Sequence, residues 1–244
     1  MATILSLSNV NKNFGALTVS DDVTFDMPEG QALGIIGPNG AGKSTLFNLI
    51  GGTLAVSSGT VQFAKQDVTR VPAAERCRMG IARSFQIPHP FVGMSVYENL
   101  LVASSFGNSG HHDAKAECRD ILDRTGLLPK ANRPAGSLTL LERKRLELAR
   151  ALASGPKLLL LDEIAGGLTE AECHELVETI KGIRDSGVSI IWIEHIVHAL
   201  TAVVERLIVI DFGKIVAEGE PSKVMADPLV QEIYMGISVD DTAA

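Results

Sequence analysis

No stretch of the 244 residues stays apolar long enough to cross a bilayer, although hydrophobic residues make up 45% of the chain. A membrane span is therefore not expected. The opening, Met1 to Gly15, has no basic region ahead of an apolar core, because Ser6, Ser8, Asn9, Asn11 and Lys12 interrupt it; the expected location is the cytoplasm. Cysteine is scarce. Cys77, Cys118 and Cys173 are far apart and odd in number, which fits free thiols in a reducing compartment rather than a disulfide frame or a metal site. Basic charge is also short, with 22 Lys and Arg against 29 Asp and Glu and a formal charge of −7. Duplex binding needs clustered Lys and Arg to replace condensed counterions, so no nucleic-acid partner is expected. The basic cluster Arg143-Lys144-Arg145 is only three residues long. Nothing marks a linker, and one domain over 1–244 is the expected organisation.

Short alternating segments from Ile4 to Phe25 read as antiparallel strands, with Asn13-Phe14-Gly15 at a turn. The character then changes. Gln31 to Ile36 reads as a buried strand, Gly37 to Gly42 as a glycine-rich loop and Lys43 to Ile50 as a helix, a β-loop-α unit. Apolar strands recur at Leu158 to Leu161, Ser189 to Ile193 and Leu207 to Ile210, separated by helical pattern. That spacing predicts a largely parallel sheet with helices on both faces. Between Ser95 and Leu152 the pattern is helical, at Tyr97 to Ala103, Lys115 to Arg124 and Leu140 to Leu152, as in a helical subdomain over about 89–153 inserted in the sheet's topology. Gly107 to His112 reads as a polar turn with His111 and His112 as solvated loop residues.

Gly37-Pro38-Asn39-Gly40-Ala41-Gly42-Lys43-Ser44 matches the P-loop pattern in full, after an apolar strand and at a helix start. Glycines let the backbone wrap a phosphate with successive N–H groups pointing inward, and the helix N-terminus adds partial positive charge. Lys43 is placed to reach the β- and γ-phosphates of ATP, Ser44 to bind Mg²⁺ and Thr45 to support the α-phosphate. Leu158-Leu159-Leu160-Leu161-Asp162-Glu163 is a buried strand with two carboxylates at its C-terminal tip, where ligands bind in open α/β sheets. There Asp162 can hold Mg²⁺ through water and Glu163 can polarise the attacking water.

With Gln86 and His195, these segments stand in the order and at about the spacing of ABC transporter ATPases, which the chain resembles over nearly its whole length. The resemblance implies an α/β fold, a P-loop NTPase core of ABC type with an N-terminal antiparallel β subdomain and an inserted α-helical subdomain. By the same resemblance Gln86 is the loop glutamine that touches Mg²⁺ and meets the membrane subunit, and His195 contacts the γ-phosphate. Phe14 stacks on adenine with Val19 beneath it, while Asn39, Gly40, Ala41 and Gly42 wrap the phosphates. Met79 to Gln86, Ser95 to Leu100, Ala217-Glu218-Gly219 and Ala226-Asp227-Pro228 resemble, more narrowly, the ATP-binding subunits of branched-chain amino acid importers. Importers of urea, amides or aromatic acids share such cassettes, so the solute stays open. The implied partners are membrane-spanning permease subunits, a second ATPase subunit (a copy or a paralogue) and, indirectly, a solute-binding protein. The implied location is the inner face of the cell membrane.

The sequence departs from that family at its signature. Leu-Ser-Gly-Gly-Gln is replaced by Leu138-Thr139-Leu140-Leu141-Glu142. Thr139 still offers a hydroxyl to a phosphate, but Thr139 to Glu142 also fits a helix capping box. After Glu163 the expected proline is Ile164, and Thr169 closes Gly166-Gly167-Leu168 where an aspartate is usual. Asp211-Phe212-Gly213 reads as a turn before Lys214-Ile215-Val216 and not as a kinase motif, for no His-Arg-Asp loop accompanies it. A soluble non-transport ABC ATPase and a regulatory ATP-binding module with weak hydrolysis are the competing readings.

Overall fold

The computed structural model describes residues 2–107 and 113–235. The turn expected at Gly107 to His112 lies, except for Gly107, outside the described residues. The chain opens with β1 (Thr3–Phe14) and β2 (Leu17–Pro28), an antiparallel pair joined at Gly15 and Ala16. Asn13 and Phe14 thus belong to β1, and the turn falls later than the sequence suggests because the ladder continues to the pair Phe14–Leu17. With β4 (Ser58–Phe63) and β5 (Gln66–Asp67) they form a four-stranded sheet in the order β2-β1-β4-β5.

The second sheet has six strands: β3 (Ala32–Ile36), β6 (Ile81–Ser84), β7 (Leu158–Asp162), β8 (Ser189–Ile193), β9 (Arg206–Asp211) and β10 (Lys214–Gly219). Their order is β10-β9-β3-β8-β7-β6, parallel throughout except for the hairpin strand β10. Every residue of β3, β7 and β8 is buried, as expected of parallel strands covered on both faces. Successive side chains point to opposite faces and divide the core in two. Leu158 and Leu160 pack with α1 (Lys43–Gly51) and the four-stranded sheet; Leu159 and Leu161 pack with helices on the other face. Each fully buried leucine contributes about 2 kcal/mol relative to an exposed one.

The covering helices follow the 3.6-residue pattern. α2 (Ala73–Met79) precedes β6; α3 (Val96–Phe106), α4 (Ala114–Arg124) and α5 (Leu140–Ala153) are inserted between the neighbouring strands β6 and β7. α6 (Glu170–Asp185), α7 (Val197–Thr201), α8 (Pro221–Met225) and α9 (Pro228–Met235) complete the order. The start of α5 is fixed by a full capping box, Thr139 accepting from the Glu142 N–H while Glu142 accepts from the Thr139 N–H at 3.0 Å. Glu142 is further paired with Lys130. Among the described residues no helix is long and apolar enough to cross a membrane.

Candidate functional site

Four strands deliver their C-terminal ends to one edge of the six-stranded sheet. β3 runs into the glycine-rich loop and α1, whose N-cap is Gly42 at φ +104°. A Cβ there would lie 2.4 Å from the Val19 carbonyl oxygen, so only glycine lets this turn approach β2. The loop encloses a cavity of about 270 Å³ lined by Val19, the run from Asn39 to Thr45, and Glu163. Lys43 lies nearly buried in it and donates to the carbonyls of Gly37 at 2.7 Å and Pro38 at 2.9 Å. Burial lowers its pKa, and the negative charges of Glu163 and Asp162 partly offset that. The pocket therefore holds a desolvated cation, the N-terminus of α1 and converging backbone groups, a set suited to phosphate.

Opposite the loop, Asp162 ends β7 and Glu163 follows it at φ +45°, a left-handed conformation that a non-glycine residue rarely adopts. The Glu163 N–H is tied to the Ile193 carbonyl of β8 at 2.9 Å. Its two carboxylate oxygens are divided between neighbours: Gln86 Nε2 donates to Oε2 at 2.7 Å, and His195 Nε2 lies 2.7 Å from Oε1. Glu163, Gln86 and His195, which are far apart in sequence, thus meet at one carboxylate. Asp162 is held separately by Arg83 of β6, at 2.5 Å.

Not every residue implied by the resemblance comes to this pocket. Val19 lines it, whereas Phe14 stands at the end of β1, 47% exposed and outside the lining, with the Lys12 ammonium 4.9 Å from its ring centre. Thr139 sits at the start of α5 and is also outside the lining.

Two charged residues were not singled out from the sequence. Arg83 is a cation inside the short apolar strand Ile81–Ser84, and Glu194 is an acid next to a histidine at the end of an apolar strand. Glu194 is 1% exposed; its oxygens accept from the Ala165 N–H at 2.9 Å and from its neighbour His195's N–H at 3.3 Å. Burial pushes its pKa up from 4.5 to about 7, against those two hydrogen bonds and the charge of buried Lys144. Between pH 4.5 and about 7 the folded protein therefore keeps a proton that the unfolded chain has released. Stability falls as pH rises through that window, by on the order of 3 kcal/mol at most. Glu194→Gln removes this dependence. In denaturant titrations its stability should match wild type near pH 4.5 and exceed it by roughly 2–3 kcal/mol at pH 8; parallel pH curves for the two proteins would refute the assignment.

Comparisons with known proteins place the whole chain in a family. A family model described as ABC transporter matches residues 20–166, more than half of the chain. The high-affinity branched-chain amino acid transport ATP-binding protein LivG of Salmonella typhimurium is 33% identical over 249 residues, spanning 96% of this chain and 98% of the relative. A probable branched-chain amino acid transport ATP-binding protein LivG of Methanocaldococcus jannaschii is 33% identical over 252 residues, 96% of this chain and 97% of the relative. A crystal structure of an ATP-binding cassette of an ABC transporter in its ADP conformation superposes with a TM-score of 0.89 at 32% identity, covering 97% of this chain and all of the other. With a complete P-loop facing a paired carboxylate and a match along nearly all its length, the chain belongs to the ABC transporter ATP-binding family.

Proposed function

We propose that this chain is the ATP-binding and ATP-hydrolysing subunit of an importer of branched-chain amino acids or a related small solute. The observation that carries the reading is Glu163, held between Gln86 and His195 and lining the same cavity as Lys43, Ser44 and Thr45. Ser44, Gln86 and Asp162 offer hydroxyl, amide and carboxylate oxygens, a hard donor set of the kind Mg²⁺ takes in phosphate sites. Bound there, Mg²⁺ supplies charge neutralisation at the β- and γ-phosphates.

The chain's own residues do the rest. Asn39, Gly40, Ala41 and Gly42 present backbone N–H groups, Lys43 reaches the terminal phosphates and Thr45 supports the inner one. Glu163 orients the attacking water and takes its proton as the water oxygen bonds to the γ-phosphorus and the bond to the bridging oxygen breaks. His195 steadies the Glu163 carboxylate and faces the developing charge. Phe14, with Val19 at the cavity wall, is assigned to the adenine, and Thr139 to the phosphates of an ATP on a second ATPase subunit, either a copy or a paralogue.

The insertion at about 89–153 gives the chain its docking face. A groove of about 340 Å³ opens between β6 and the helices α3 and α5, walled by Phe85, Phe91, Val102, Phe106 and Ala151. Phe85, Phe91 and Phe106 are exposed, and clustered exposed aromatics mark protein contacts. At its floor Arg150 pairs with Glu147 and donates to the His89 carbonyl, joining α5 to the segment after Gln86. The occupant is an apolar helix of a permease subunit, and a solute-binding protein acts through that permease. Phe106→Asp, 71% exposed in the wild type, should leave the ATPase rate of the isolated chain unchanged and lower co-purification of the membrane partner at least about tenfold, the loss of one apolar anchor of about 1.5–3 kcal/mol. Undiminished co-purification would place the permease elsewhere.

A second reading, a regulatory module with weak hydrolysis, draws on Leu140 and Leu141 in place of signature glycines and on Glu142 held in its cap. Lys43, Asp162 and Glu163 oppose it. ATP turnover of the chain with its partners separates the two.

A further inference from the structure

Arg83 has no part in the chemistry above, yet it is hydrogen-bonded to Asp162, a residue that does. Its guanidinium gives one nitrogen to Asp162 Oδ2 at 2.5 Å and another to Asn48 Oδ1 on α1 at 2.6 Å. It lies 5.6 Å from the ring centre of Phe47 and 5.1 Å from that of Phe85. The planar fork is therefore anchored at both ends and flanked by two aromatic side chains, which leaves it little freedom to swing. Asp162 has one oxygen engaged by this fork. Its side chain is about one-tenth exposed, so solvent competes weakly for the pair.

We infer that Arg83 is a positioning residue: it fixes the Asp162 carboxylate, which would hold the Mg²⁺ of the nucleotide, and it ties that carboxylate to the apolar groove. The link to the groove is material, because Arg83 and Phe85 both line it. Whatever shifts the Phe85 ring from the groove side bears on the guanidinium, and through it on Asp162. The inference rests on the proposed reading in one respect, the assignment of Asp162 to Mg²⁺.

Two effects of opposite sign must be separated. Removing a cation beside the site would strengthen attraction for Mg²⁺, whereas losing the fork would disorder a ligand, and outer partners of metal ligands are typically worth about 10–100-fold in metal affinity. Arg83→Lys isolates the second effect, since the ammonium keeps the charge but cannot hold Asp162 and Asn48 together. Arg83→Met loses both charge and fork.

The test is ATP binding to the isolated full-length chain, followed by fluorescence of a labelled ATP analogue, first without metal and then titrated with Mg²⁺. Thermal midpoints of each variant establish folding. For Arg83→Lys the metal-free affinity should equal wild type, while the Mg²⁺ midpoint should rise about tenfold or more; Arg83→Met should give a smaller rise, because the lost charge works in the other direction. Asn48→Ala, which removes the far anchor together with the Thr53 hydroxyl's hydrogen bond to the same oxygen, should shift the midpoint in the same direction as Arg83→Lys. A wild-type midpoint in Arg83→Lys with tighter Mg²⁺ binding in Arg83→Met would show that Arg83 acts as a charge alone and would overturn the inference. Asp162→Asn is the control: if it leaves the Mg²⁺ midpoint unchanged, the metal assignment itself fails, whatever the Arg83 variants do.

Discussion

Lys43→Ala should lower the affinity for ATP by at least about 100-fold, measured by calorimetry in the presence of Mg²⁺. The ammonium is nearly buried and already deprived of water, as the downward shift of its pKa reflects. A cation held in that way gains more from a phosphate than an exposed one does, since its desolvation is already met by the fold. Hydrogen bonds to charged groups contribute about 1.5–3 kcal/mol each, and Lys43 can offer more than one to the β- and γ-phosphates. The Gly37 and Pro38 carbonyls lose their donor in the variant, so the loop's shape suffers as well. Unchanged affinity in a folded variant would remove the P-loop from the account.

Glu163→Gln should separate binding from turnover. The side chain keeps its size and one acceptor oxygen, so it retains a partner for Gln86 or for His195 but loses the general base. General-base catalysis typically contributes about 10²–10⁴ in rate. ATP affinity should stay within a few-fold of wild type, and hydrolysis should fall by roughly that factor. The unusual backbone at Glu163 (φ +45°) is unaffected by the change, so local strain does not confound the comparison. Near wild-type turnover with the transport partners present would assign the base elsewhere.

The parts of this site that could be read from the sequence are those whose signal is local. Four successive leucines and two acids announce β7 and its tip; Thr139 and Glu142, three residues apart, announce the start of α5. The P-loop is legible because its glycines answer a local demand, the left-handed turn that brings Gly42 against Val19. β4 and β6 were not anticipated. β6 is four residues with an arginine in the middle, and its strand character comes from pairing with β7, which no local pattern reports. The contact of Arg83 with Asp162 spans 79 positions and follows from that same pairing. Gln86 and His195 were reached only by likeness to a family, because an isolated glutamine or a histidine after a strand carries no chemistry until the fold gathers both at Glu163. The Thr139 segment was ambiguous, and the structure shows its capping reading in full, with Lys130 drawn onto Glu142 so that the acid is engaged within its own chain.

The most direct test of the central claim is ATP-dependent solute uptake by vesicles that contain this chain and the membrane proteins that co-purify with it. ATP and Mg²⁺ on the side of the chain should drive accumulation of a branched-chain amino acid or related solute, and substituting Glu163→Gln should abolish accumulation while ATP still binds. Uptake that proceeds equally without ATP, or with the Glu163→Gln chain in place, would contradict it.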